Sequence, residues 1–160
     1  MFDVQDREFS DVKYLSTGSN AAVYVGYRRN KFVAIKMLKP QIKNREIAVQ
    51  EMLFEMQILC KVDHPNIITV YGAGENPRKF IMLEYLGGGT LEKLIRNHQL
   101  QVHQETGENA ELVGLPWETV LSFAMELASA LKYLHEDFHP LAMVIHRGKN
   151  SITFSFEHGN

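Results

Sequence analysis

The chain has 160 residues, 45% of them hydrophobic and 22% charged, which suits one globular domain with a real core and is too short for two large ones. A formal charge of −2 gives no global pull toward nucleic acid or an anionic membrane, so any recognition of phosphate must be local. Cys60 is the only cysteine, which excludes an intramolecular disulfide and argues against a cysteine-based zinc site. No run reaches the roughly 18 unbroken apolar residues of a spanning helix, and the start MFDVQDREFS lacks a basic region leading into an apolar one. The expected setting is therefore the cytoplasm, with the nucleus as the other option, and the expected partners include no nucleic acid and no membrane.

In chain order, the first third alternates in the strand period. Phe9 to Ser16 reads as a strand, Thr17-Gly18-Ser19-Asn20 as a turn, and Ala22 to Arg28 as a second strand. Arg29-Asn30 turns the chain into a third, Lys31 to Leu38, which Pro40 ends. From Asn44 to Cys60 the apolar residues Ile47, Met52, Leu53, Met56, Ile58 and Leu59 recur at helical spacing. His64-Pro65-Asn66 reads as a turn, because proline biases the residue before it away from helix. Two apolar strands follow, Ile67 to Ala73 and Lys79 to Leu86. Three strands, a helix and two strands predict an α+β unit: a small antiparallel sheet with one covering helix.

Gly87-Gly88-Gly89 breaks the chain, and a lobe boundary is expected near residues 86 to 89. Thr90 is a plausible N-cap for a short helix ending near His98. Residues 99–115 are polar and aperiodic and read as an exposed loop insertion. Pro116 opens an amphipathic helix over 117–136, with Val120, Leu121, Ala124, Leu127, Ala128, Leu131 and Leu134 on its apolar stripe. Met143-Val144-Ile145 reads as a very short strand leading to His146-Arg147.

Three features carry chemistry. In Val33-Ala34-Ile35-Lys36, strand alternation places Ala34 and Lys36 on one face, so a small residue lies beside an ammonium where a flat ring next to phosphates could fit. A lone strand lysine is ordinarily just solvated. Glu55 lies on a mostly apolar helical face, where an unpaired carboxylate is costly, and Lys36 is its natural partner. The turn around Gly18 lets backbone N–H groups approach phosphate oxygens without a Cβ in the way, although a single glycine also suits a plain hairpin.

Taken together and in order, these residues resemble a eukaryotic protein kinase domain. The resemblance runs from about residue 9 to 147. It comprises the loop ending in Val23, Val33-Ala34-Ile35-Lys36, Glu55, His64-Pro65-Asn66-Ile67, the hinge-like Met82-Leu83-Glu84-Tyr85-Leu86-Gly87-Gly88-Gly89-Thr90-Leu91, Tyr133-Leu134-His135 and Ile145-His146-Arg147. His64 and the hinge look most like serine/threonine kinases of the tyrosine-kinase-like group. The resemblance implies a small lobe (9–86) with a five-stranded antiparallel sheet and one helix, followed by the first helices of an incomplete helical large lobe (87–147). It implies ATP binding and transfer of its γ-phosphate to serine or threonine of a protein. Lys36 would bind the α- and β-phosphates and pair with Glu55. Leu15, Val23 and Ala34 would roof the adenine, with Ser16, Gly18 and Ala21 in the phosphate loop. Leu83 would be the gatekeeper, and the backbones of Glu84 and Leu86 would bond the adenine edge.

The chain departs from the family in two places. Ser16 and Ala21 replace the first and third glycines of the phosphate loop, so phosphate cradling is expected to be weaker or less mobile. After His146-Arg147, Gly148 stands where the family has its catalytic aspartate, and Thr153 where it has a magnesium-binding asparagine. No Asp-Phe-Gly follows, and residues 148–160 read as a non-family tail, with Glu157 and His158 incidental. Magnesium is expected of the family, but its ligands are absent here. The closely spaced His135, His139 and His146 read as structural residues. The favoured expectation is a kinase truncated by a frame change or alternative exon junction and therefore inactive. The alternative is a pseudokinase-like binding or scaffold module that engages a protein partner.

Overall fold

The computed structural model describes residues 9–107 and 114–138. The chain divides into two compact units. The first holds the residues up to Asp63 and Ile68–Tyr85; the second holds His64–Ile67 and the chain from Leu86 on.

In the first unit, β1 (Ser10–Thr17), β2 (Ala21–Arg28) and β3 (Lys31–Leu38) precede helix α1 (Arg45–Leu59), and β4 (Val70–Gly74) and β5 (Phe80–Glu84) complete the sheet. The strand order is β1-β2-β3-β5-β4, and every neighbouring pair is antiparallel. This is the α+β arrangement expected of the first half, with strand ends shifted by a few residues. Arg29 and Asn30 both take positive φ, 46° and 64°, which matches the right-handed strand twist in a tight two-residue hairpin.

The strand period divides the sheet into two faces. Ala34, Leu38, Ile81, Leu83 and Ala21 pack with Ala48 and Met52 of α1 in one buried cluster. Val33, Ile35, Phe80 and Met82 form a second, flanked by Phe9, Tyr24 and Met37. β3 and β5 are therefore apolar on both sides, which explains why β5 reads as an unbroken hydrophobic run.

In the second unit, helix α2 spans Leu91–Thr106 and helix α3 spans Trp117–Lys132. The Thr90 hydroxyl caps α2 by accepting from the Lys93 N–H at 3.2 Å. The expected loop is corrected over residues 99–106: α2 runs on through Thr106 and is capped by Gly107, left-handed at φ 70°, whose N–H donates to the His103 carbonyl at 3.0 Å; residues 108–113 of that stretch lie outside the described residues. The inner stripe is Leu94, Ile95, His98, Gln99 and Val102, each partly buried. His98 and Gln99 interrupt its apolar period, which hides the helix from a hydrophobicity reading. Pro116 lies just before the first helical residue, and α3 passes into a π-helical turn at Tyr133–Asp137, where the Phe138 N–H reaches the Tyr133 carbonyl at 2.8 Å. The expected strand at Met143-Val144-Ile145, the His146-Arg147 motif and the tail lie outside the described residues.

The His64-Pro65-Asn66 turn is held by side chains. His64 Nδ1 accepts from the Asn66 N–H at 3.1 Å, which leaves Nε2 to face Ser129 Oγ of α3 at 3.1 Å. The His64 ring also lies 5.1 Å from that of Tyr133, and Asn66 donates to Glu126 at 3.4 Å. These contacts explain why a four-residue segment from the middle of the first unit groups with the second.

Candidate functional site

Lys36 lies in the C-terminal half of β3, opposite Val23 on one side and Ile81 on the other. Its ammonium is 2.7 and 2.6 Å from the two carboxylate oxygens of Glu55, so one carboxylate takes the cation with both oxygens. The side chains are 31% and 39% exposed. Such a pair keeps enough solvent to avoid the full desolvation penalty of a buried one, yet both charges stay localised at the edge of an apolar surface.

That surface is formed by the neighbouring strands. Ala34 lies two residues from Lys36, on the same face, between Val25 of β2 and Leu83 of β5. Ala34 and Leu83 are both buried, each 8% exposed, in the cluster that includes Val23 and Ala21. The small side chain of Ala34 keeps the face shallow beside the ammonium. Leu15 is exposed, at the irregularity in the β1–β2 register, and Ser16 pairs with Val23. The structure thus brings Ala21, Val23, Ala34, Lys36, Glu55 and Leu83 together in one unit. Leu86 belongs to the second unit.

At two residues expected to use their backbones, Glu84 and Gly18, the N–H is already engaged. The Glu84 N–H donates to the Thr69 carbonyl at 2.9 Å, so an adenine contact at this residue would have to use its carbonyl. The Gly18 N–H donates to the Ala21 carbonyl at 2.8 Å, closing the β1–β2 turn on itself. A cavity of about 420 Å³ between α1 and the β4–β5 turn is lined by Met52, Leu53, Met56 and Phe80 among others, and by none of the predicted site residues.

Sequence reasoning missed the residues that hold this turn. The Lys39 ammonium donates to the Gly18 carbonyl at 2.6 Å, the Lys39 N–H donates to the Asn20 carbonyl at 3.0 Å, and the Asn20 amide reaches Glu51 of α1 at 3.5 Å. One signal was available: Glu51 lies four residues before Glu55, on the same helical face.

The family model for protein tyrosine and serine/threonine kinases matches residues 9–148. Among curated relatives, the chain is 30% identical over 142 residues to serine/threonine-protein kinase VIK of Arabidopsis thaliana, covering 88% of this chain and 28% of that protein. It is 34% identical over 133 residues to serine/threonine-protein kinase ULK3 of Xenopus laevis, covering 81% of this chain and 25% of that protein. It is 32% identical over 152 residues to human serine/threonine-protein kinase TNNI3K, covering 94% of this chain and 16% of that protein. The chain therefore spans less than a third of the length of these relatives. A match over that span, joined to an antiparallel five-stranded sheet and a lysine–glutamate pair between β3 and α1, makes this chain a member of the protein tyrosine and serine/threonine kinase family.

Proposed function

We propose that the chain holds ATP against the face of β2, β3 and β5 but does not itself transfer the phosphoryl group. The observation that carries the binding half is the Lys36–Glu55 pair. Glu55 fixes a long, flexible ammonium in one place, and a fixed cation neutralises phosphate without paying again for ordering. The residues present fit a nucleotide: Ala34 and Leu83 offer a shallow apolar surface for a flat ring, and Lys36 beside them suits the α- and β-phosphates. ATP, where bound, supplies the group that family members transfer. In this reading Lys36 and Glu55 bind and orient the phosphates and have no part in proton transfer.

The second half rests on sequence. At the positions the family uses for its proton-accepting aspartate and its metal-binding asparagine, this chain has Gly148 and Thr153. Glycine has no side chain to orient a hydroxyl, and a single neutral hydroxyl is a poor substitute for the asparagine oxygen at a magnesium ion. These residues do not fit the metal, and no step is assigned to it. What remains is a nucleotide-binding module of serine/threonine kinase ancestry, suited to engaging a protein partner.

The direct test is the thermal midpoint of the purified chain with ATP, with and without magnesium, beside an assay of phosphoryl transfer to a general protein substrate. At a hundred times its dissociation constant ATP stabilises by about 2.7 kcal/mol, a rise of roughly 5–10 °C. The expected result is that rise, little dependent on magnesium, with no transfer. Magnesium-dependent transfer at a rate typical of kinases would overturn the inactive half. No shift with ATP would overturn the binding half.

A further inference from the structure

The β1–β2 turn is tied down more heavily than a hairpin of its length requires. Gly18-Ser19-Asn20 is closed by the Gly18 N–H on the Ala21 carbonyl at 2.8 Å, and Lys39 then holds it twice. The Lys39 N–H takes the Asn20 carbonyl at 3.0 Å, and its ammonium sits on the Gly18 carbonyl at 2.6 Å. A charge-assisted bond of that length is among the stronger single contacts a surface turn can make. At the far end, the Asn20 amide reaches Glu51 at 3.5 Å, one helical turn before the Glu55 that holds Lys36. α1 therefore presents two carboxylates on one face, one toward the turn and one toward the strand lysine.

This arrangement accounts for a turn with little glycine. Ser16 and Ala21 lack the backbone freedom of glycine, so the segment cannot rely on adaptability to meet a ligand and must be held in place beforehand. The N–H groups of Ser19 and Asn20 are not used by these bonds and remain as donors for an anion, with the Lys39 ammonium close by as a fixed positive charge.

We propose that Lys39 is a positioning residue for the phosphates of the nucleotide: by seating its ammonium on the Gly18 carbonyl it sets the β1–β2 turn in its binding conformation. The inference rests on the nucleotide-binding reading above. It acts through the turn, so it favours ligands that carry phosphates and is indifferent to the base.

The test compares the full chain with its Lys39→Met and Lys39→Arg variants. Two quantities are read: amide hydrogen exchange at Gly18 to Ala21 without nucleotide, and dissociation constants for ATP and for adenosine. Lys39→Met is expected to speed exchange in the turn and to weaken ATP, each by about tenfold, with adenosine unchanged. Lys39→Arg, which keeps the cationic donor, is expected to restore both. Glu51→Ala, which loosens the other end of the turn, should move exchange and ATP affinity in the same direction. Unchanged exchange in Lys39→Met, with ATP weakened or not, would overturn the positioning role, as would equal weakening of ATP and adenosine. If the wild-type chain binds neither ligand, the nucleotide reading fails and the positioning role fails with it; faster exchange in Lys39→Met would then assign the clamp to the fold alone.

Discussion

Lys36 and Glu55 are 19 positions apart in the chain, and their contact is the closest thing the first unit has to a functional signature. Because both side chains are about a third exposed, the pair contributes little to folding. Glu55→Gln should lower stability by less than about 1 kcal/mol in a urea titration. The same substitution should weaken ATP about tenfold, since Lys36 would lose the group that localises it. A stability loss of several kcal/mol with unchanged ATP affinity would assign the pair to the fold instead. Tyr71 of β4 offers a test of a different kind. Partial desolvation, and after it the nearby Glu84 carboxylate, raise its hydroxyl above the ordinary value of 10.0. The folded chain then holds this proton more tightly than the unfolded one. The resulting stabilisation is full below the unfolded value and is lost as pH rises through the folded one. Tyr71→Phe should therefore flatten the alkaline end of the stability curve, read by denaturant titrations across pH.

At the scale of elements, two glycines separate steric demand from backbone demand. A Cβ on Gly74, at the end of β4, would meet the Phe80 ring at 2.5 Å, and Phe80 is 3% exposed in the second core cluster. Gly74→Ala must displace a packed aromatic ring and should cost about 1–3 kcal/mol. Gly107 meets none of the described residues at its Cβ position but sits at φ 70°, so Gly107→Ala should cost about 1 kcal/mol through the left-handed backbone. Circular dichroism melts of the two variants, with local hydrogen exchange, would place the first loss in the sheet and the second in the last turn of α2. Element type was mostly legible in the sequence, because β3 and β5 are short apolar stretches bounded by turn residues and α1 repeats apolar residues at three- and four-residue spacing. α2 was legible only as far as His98. From that point its inner positions are filled by histidine, glutamine and a lone valine, and the Gly107 cap lies within a polar stretch.

Among the described residues, burial is concentrated in the first unit. Leu38, Ile81 and Met82 are the largest fully buried side chains among the described residues, whereas α3 leaves Trp117 70% and Met125 65% exposed. Leu38→Ala should cost about 2–5 kcal/mol, and Met125→Ala less than about 0.5 kcal/mol, in matched denaturant titrations. Equal losses would mean that α3 is covered in solution. No helix among the described residues is long and apolar enough to cross a membrane, and the described residues contain no cluster of three or more metal-binding side chains.

The sequence by itself determined the family, the succession of strands and helix along the first unit, and the residues that carry charge on otherwise apolar elements. Those properties follow from local periodicity and from the order of short motifs along the chain. Tertiary structure decided which charges meet and which backbone donors are already used. The Lys36 ammonium could be matched with Glu55 because an unpaired carboxylate on an apolar face needs a cation. Nothing local, however, signals that Lys39 takes the Gly18 carbonyl, that Thr69 takes the Glu84 N–H, or that His64 docks on Ser129 and Tyr133. Those bonds join segments distant in sequence, and they exist only once packing has brought exposed polar groups within hydrogen-bonding distance.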